Sequence, residues 1–150
     1  MRVKFEPGAV LKFRMGEEDF AYALMLETFP YIAFYGYQAV FVDGRPPATA
    51  PMFVTLVERG AYSTGRWGKP VTHVGRSNLP PIPRFFWQSP VNKFDIKIVE
   101  PGKRRFTAST DECEDLEPEA IWSAEHIESR IVDTYLGRPS AAFEAVRLKR

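Results

Sequence analysis

The stretch AVLKFRMGEEDFAYALMLETFPYIAFYGYQAVF, residues Ala9–Phe41, decides the architecture. Within AVLKFRM, Leu11, Phe13 and Met15 fall on one side and Lys12 and Arg14 on the other, the alternation of a half-buried strand. GEED follows as a polar turn, with Gly16 free to take the positive φ of a tight reversal. FAYALMLETF then sets Phe20, Tyr22, Leu24 and Leu26 on one face and the small Ala21 and Ala23 on the other. Pro30 ends that run, and YIAFYGYQAVF resumes as an aromatic-rich strand. Three strands joined this closely read as an antiparallel meander.

Outward from the meander, the punctuation continues. DGRPPATAP, Asp43–Pro51, holds three prolines and a glycine and reads as a loop. MFVTLVE shows little alternation, as a strand covered on both faces does. Residues Arg59–Pro83 are broken by four glycines and four prolines, an irregular excursion of the kind that often carries function. RFFWQ reads as a short aromatic strand or anchor, and KFDIKIVE and RRFTAST as a hairpin turned at PGK.

The period changes in the tail. Ala120, Ala124, Ile127, Ile131 and Tyr135 recur at steps of three and four, which predicts a helix over 118–136. Pro118 suits a first helical position, Leu116 and Ile121 form a hydrophobic staple, and Gly137 with Pro139 stops the helix. A short second helix around Phe143 and Val146 finishes the chain. Strands followed by terminal helices predict a single α+β domain over residues 1–150. Its expected architecture is a curved antiparallel sheet or partly open barrel with one long and one short C-terminal helix.

The lone Cys113 leaves no internal disulfide, the N-terminal residues lack a signal-peptide pattern, and no apolar run reaches membrane-span length. These features predict a cytoplasmic protein. Charge is uneven beneath a net of +1: residues 1–110 hold fifteen Lys/Arg and nine Asp/Glu, and residues 111–150 hold five and ten. Two readings follow: the acidic tail docks on the basic body, or it gives the molecule a one-signed face that steers a partner.

Motifs for catalysis are sparse. With one Cys and two His, no conventional zinc cluster assembles from spacing, and GRWGKP lacks the spacing of a phosphate loop. Cys113 and His126 lie in one region, but the surrounding carboxylates oppose a thiolate, so Cys113 reads as a small apolar filler. The six acids of Asp111–Glu119 form a field rather than a tuned pair, and lack the glycine and spacing of a calcium loop. No enzyme, metal or cofactor is expected. Arg59–Arg105 carries ten bases against two acids among Trp67, Phe85, Phe86 and Trp87. Such a segment suits single-stranded nucleic acid through phosphate contact and stacking, or else its aromatics are core and its bases solvate a loop.

The order GAVLKFRMGEEDFAYALML, IAFYGY, FFWQSP and DECEDLEPEAIWSAEHIESRIVDTYLGRPSAAFEAVR resembles the Immunity protein 26 family of bacterial polymorphic toxin systems. The tail CEDLEPEAIWSAEHIESRIVDTYLG followed by RPS is the most specific part. The loop DGRPPATAP has no counterpart in that pattern. The resemblance implies an antidote that binds the C-terminal domain of a cognate toxin and blocks it without catalysis. Such toxins include nucleases and deaminases.

On an idealised helix, Trp122, Glu125, His126 and Glu128 lie away from the apolar stripe. An exposed Trp122 ringed by Asp111, Glu112, Glu114, Asp115, Glu119, Glu125 and Glu128 would anchor and steer a basic nucleic-acid-acting partner. Alternatively Trp122 packs on the β body and Glu125 and Glu128 face water.

Overall fold

The structure, a computed structural model, describes residues 2–150 as an α+β fold of ten strands in two mixed sheets, neither closed into a barrel. The meander forms as expected: β1 (Ala9–Arg14), β2 (Phe20–Met25), β3 (Tyr31–Tyr35) and β4 (Phe53–Val57) pair antiparallel in succession. Gly36 follows the end of β3, so the third strand is shorter than its aromatic run. Every residue of β3 and β4 is buried, which accounts for their lack of alternation.

The excursion after β4 is more ordered than its glycines and prolines suggest. It holds a single-turn helix α1 (Gly60–Ser63), strand β5 (Pro70–His73) and a 3₁₀ turn at Arg76–Asn78. β5 lies on the edge beside β1, where Pro70 is tolerated. Just before β1, Gly8 is required by close approach to Val74, the residue that follows β5. Its φ is +94°, and a Cβ there would lie 2.3 Å from the Val74 carbonyl oxygen.

The second sheet is built from β6 (Phe85–Gln88), β7 (Ile96–Glu100) and β8 (Arg104–Thr107), with the expected hairpin between β7 and β8. Helix α2 (Thr110–Cys113) follows, started by Ser109, whose hydroxyl accepts from the Glu112 N–H while the Glu112 carboxylate accepts from the Ser109 N–H.

Residues 118–122 correct the expectation of one helix over 118–136. They belong to an extended segment, β9 (Glu117–Pro118) and β10 (Ile121–Trp122), and helix α3 spans only Ala124–Tyr135. β9 runs parallel to β6 at the edge of the small sheet, and β10 runs parallel to β4 at the edge of the large one. One segment thus edges both sheets and forms their shared corner. Ladder bonds outweigh the helix-start chemistry of Glu117-Pro118-Glu119. The true N-cap is Ser123, whose hydroxyl accepts from the His126 N–H. Leu116 and Ile121 make no staple: Leu116 packs on the back of the small sheet and Ile121 is exposed. Gly137, at φ +66°, ends α3 as expected, and α4 (Ala141–Glu144) is the short terminal helix.

The core follows from these layers. Leu11, Phe13, Ala21, Ala23, Ile32 and Phe34 on one face of the large sheet share a cluster with Ile127 and Ile131 of α3 and with Trp67 and Trp122. Val10, Leu24, Ala33, Val54 and Leu56 on the opposite face share another with Phe85 and Val99 of the small sheet. Phe86, Ile96 and Ile98, on the back of the small sheet, are covered by Cys113, Leu116 and Leu148. No helix among the described residues is long and apolar enough to cross a membrane.

Tyr135 ties the end of α3 to β2, its hydroxyl donating to the Phe20 carbonyl oxygen at 2.7 Å. Burial is the main force pushing this phenol up to about 12, with Asp19 adding to it and a backbone hydrogen bond at Tyr37 opposing it. A raised phenol pKa makes the neutral form the one the fold favours. Tyr135 therefore contributes its full stability below the unfolded-chain value of about 10 and loses it as pH rises from there towards 12. Chemical denaturation at stepped alkaline pH should show this loss, and Tyr135→Phe should make it smaller, leaving the share of Tyr31, Tyr35 and Tyr62, whose phenols burial also raises.

Candidate functional site: a pre-organised apolar loop

The residues of the expected acidic face come to different ends. Trp122 is 3% exposed and lies in the core, so it is not the exposed anchor of the first reading; it packs on the β body because residues 121–122 are strand rather than helix. The carboxylates meet cations of the same chain. Arg66 spans Glu125 and Glu128, at 2.9 and 2.8 Å, and Glu128 also accepts from the Trp67 indole N–H. The Glu125 carboxyl is held below the usual range, first by its own backbone N–H and then by Arg66. Arg105 reaches both oxygens of Glu119, and Arg150 reaches Asp111 and Glu114. Glu112 is occupied with Ser109. Among the described residues only Asp115, of those eight, has no ion pair, hydrogen bond or buried position.

Of the two readings of the uneven charge, the geometry gives internal docking. Arg66 and Arg105, from the basic body, bind acids of the tail. Pairs this exposed contribute little stability each, but they cancel the field that an acidic face would need for steering. The basic segment gives up its aromatics in the same way: Trp67, Phe85 and Phe86 are buried, and Trp87 is half-buried with Lys97 over its ring.

Cys113 is a buried filler, grouped with Phe86, Ile96 and Ile98. Burial and then the Glu112 charge push its thiol up, away from the reactive thiolate. Among the described residues no three His, Cys, Asp or Glu come together to hold a metal ion. Alkylation of Cys113 by iodoacetamide should accordingly be negligible in the native protein and become rapid only in denaturant, as followed by mass spectrometry.

The surface feature that sequence reasoning missed is the loop Ser89–Asp95, between β6 and β7. Val91 and Phe94 there are 93% and 78% exposed, the most exposed large apolar residues of the fold. Such exposure usually accompanies a slack loop, but this one is held by its own hydrogen bonds. The Ser89 hydroxyl accepts from the Val91 and Asn92 N–H groups, and the Asn92 side chain accepts from the Phe94 N–H. The Ser89 N–H donates to the Asp95 carbonyl, the Asp95 N–H to the Asn92 carbonyl, and Gln88 to the Lys93 carbonyl. The loop is therefore ordered before anything binds.

Beside it runs a groove of about 680 Å³ whose apolar lining includes Trp87, Pro90, Val91, Pro118, Ala120 and Val146. Its far wall is pinned by Gln88, whose amide both donates to the Lys149 carbonyl and accepts from the Lys149 N–H. A hydrogen-bonded loop that presents two exposed apolar side chains, one of them on the wall of a groove, offers a protein partner central anchors, since burying each side chain is worth about 1.5–3 kcal/mol. The sequence signal was available: SPVN, with its Ser-Pro and Asn turn chemistry, interrupts two strand patterns and carries apolar Val91, with Phe94 three residues further on.

No protein-family model matches the chain, and the searches of curated proteins and of solved structures gave no match.

Proposed function

We propose that this protein is a non-catalytic protein-binding domain. More particularly, it acts as an antidote that binds and neutralises the C-terminal domain of a cognate bacterial toxin, working in the cytoplasm. The observation that carries the binding role is the hydrogen-bonded Ser89–Asp95 loop presenting Val91 and Phe94 to solvent. The toxin assignment rests on the resemblance of the tail from Cys113 to Ser140 to the immunity family. Docking on this reading is led by apolar contact and not by acidic mimicry, because the acids of the tail are already paired within the chain.

The test is co-purification of the tagged protein from its own cells, followed by mass spectrometry and reconstitution with the retained domain. The expected partner is a stoichiometric toxin domain whose lethality on expression is suppressed by this protein. Phe94→Ala should weaken that complex by about 2 kcal/mol, roughly thirtyfold, while leaving unfolding stability within about 0.5 kcal/mol. An unchanged affinity would move the interface away from the loop. Retention of nucleic acid instead, lost on raising salt, would favour a single-stranded nucleic-acid or regulatory module built on residues 59–105.

A further inference from the structure

A second site lies beside the single-turn helix α1. The extended N-terminal segment is tied there by the Val3 N–H, which donates to the Ser63 carbonyl at 3.0 Å. Val3 is buried, so the flanking Arg2 and Lys4 stand outward. Together with Arg59, Ser63, Phe5 and Phe29 they line a pocket of about 490 Å³ that contains no carboxylate. The two phenyl rings meet edge to face at 5.5 Å and form an apolar wall, with the Arg59 guanidinium 5.1 Å above Phe29.

The pocket gathers three cations with no acid on its lining. Among the described residues eight of the thirteen arginines hold ion pairs, and Arg2 and Arg59 are among the five that do not. Among the described residues Arg2, Lys4 and Arg59 have neither an ion pair nor a side-chain hydrogen bond, although acids are plentiful in the chain. Three uncompensated cations set around one cavity raise a positive potential that a bound anion relieves. Two guanidinium forks and a lysine match the oxygens of a phosphate better than the two of a carboxylate, and the Ser63 hydroxyl adds a further donor.

The geometry points to a binding site for a phosphomonoester carrying an apolar group. The phosphate is held by Arg2, Lys4 and Arg59, and the apolar body lies against Phe5 and Phe29. This assignment is independent of the toxin reading and uses a different part of the surface from the Ser89–Asp95 loop.

Phenyl phosphate is the probe, with phenylacetate and inorganic phosphate as comparators, followed by calorimetry and by amide shifts in two-dimensional NMR. Phenyl phosphate is expected to bind at millimolar concentration or below, to move the signals of Val3, Phe5 and Ser63, and to weaken as salt is raised. Arg59→Gln and Lys4→Gln should each reduce the affinity roughly tenfold or more, the loss of a charge-assisted contact. Arg45→Gln, outside the pocket, should leave it unchanged. Lys4 is exposed and lies outside every helix and strand, so its variant carries the test if Arg59→Gln disturbs α1. Absence of shifts, indifference of both variants, phenylacetate binding as tightly, or inorganic phosphate binding equally well would each overturn the assignment.

Discussion

Arg130→Ala should destabilise the protein by about 3–5 kcal/mol, the cost typical of breaking a desolvated ion pair from one side. The side chain of Arg130 is 11% exposed, and its guanidinium makes paired contacts of 2.6 and 2.8 Å with the Glu117 carboxylate. The same cation lies 3.9 Å above the Phe53 ring, 4.7 Å from Phe143 and 5.1 Å from Trp122. It therefore joins α3 to β9, to β10, to β4 and to α4 through one planar group. Alanine would leave Glu117 without its counter-charge and strip three ring faces of their cation. Arg130→Met combined with Glu117→Gln should cost clearly less than Arg130→Ala alone, because no charge is then orphaned. Urea denaturation with the slope held constant reads both values. A loss below about 1 kcal/mol for Arg130→Ala would refute this role.

Trp67→Ala should cost a similar amount, about 3–5 kcal/mol, by a different route. Trp67 is fully buried, stacks on Phe13 at 4.6 Å and meets Phe34 edge to face at 5.7 Å. Its removal opens a cavity between the large sheet and α3, which the short α1 turn before it cannot collapse to fill. The indole N–H also donates to Glu128 at 2.9 Å. Trp67→Phe separates the two contributions: the ring contacts largely persist, Glu128 keeps Arg66, and the expected loss falls to about 1–2 kcal/mol. Equal destabilisation by both variants would show that the hydrogen bond, not the ring, dominates.

These two residues mark where reading the sequence succeeded and where it stopped. The meander, the covered strand at Phe53–Val57 and the hairpin at Pro101-Gly102-Lys103 were legible because each is set by local alternation and turn chemistry. Residues 117–122 were not, because Pro118 and its flanking glutamates carry the local signature of a helix start. Their extended form comes from ladder partners far away in sequence, at Phe85–Phe86 and Leu56–Val57. Ser123, a cap residue directly after the strand-favouring pair Ile121 and Trp122, was the available clue. The acids of the candidate site were visible as a run, but their partners Arg66 and Arg105 are separated from them by loops whose course no periodicity predicts. Val91 and Phe94 sit in a turn that SPVN marks in the sequence, but turn chemistry places a loop without saying which of its side chains face water; that is set by the folded loop.

The corner segment Glu117–Trp122 also bears on the order in which the molecule can assemble. During synthesis the large sheet can pair β1 to β4 early, and the small one β6 to β8 somewhat later, yet each keeps an open edge until residues 117–122 arrive. Both edges then close in one event, which also delivers the helix that covers the large sheet. A chain stalled near residue 110 would display, besides the outer edges at β5 and β8, the edges of β4 and β6 that residues 117–122 cover, the condition under which sheets recruit neighbouring chains. Supplying residues 109–150 as a separate peptide should therefore suppress aggregation of the 2–108 fragment, since the missing piece is an edge for two sheets in a single strand of backbone.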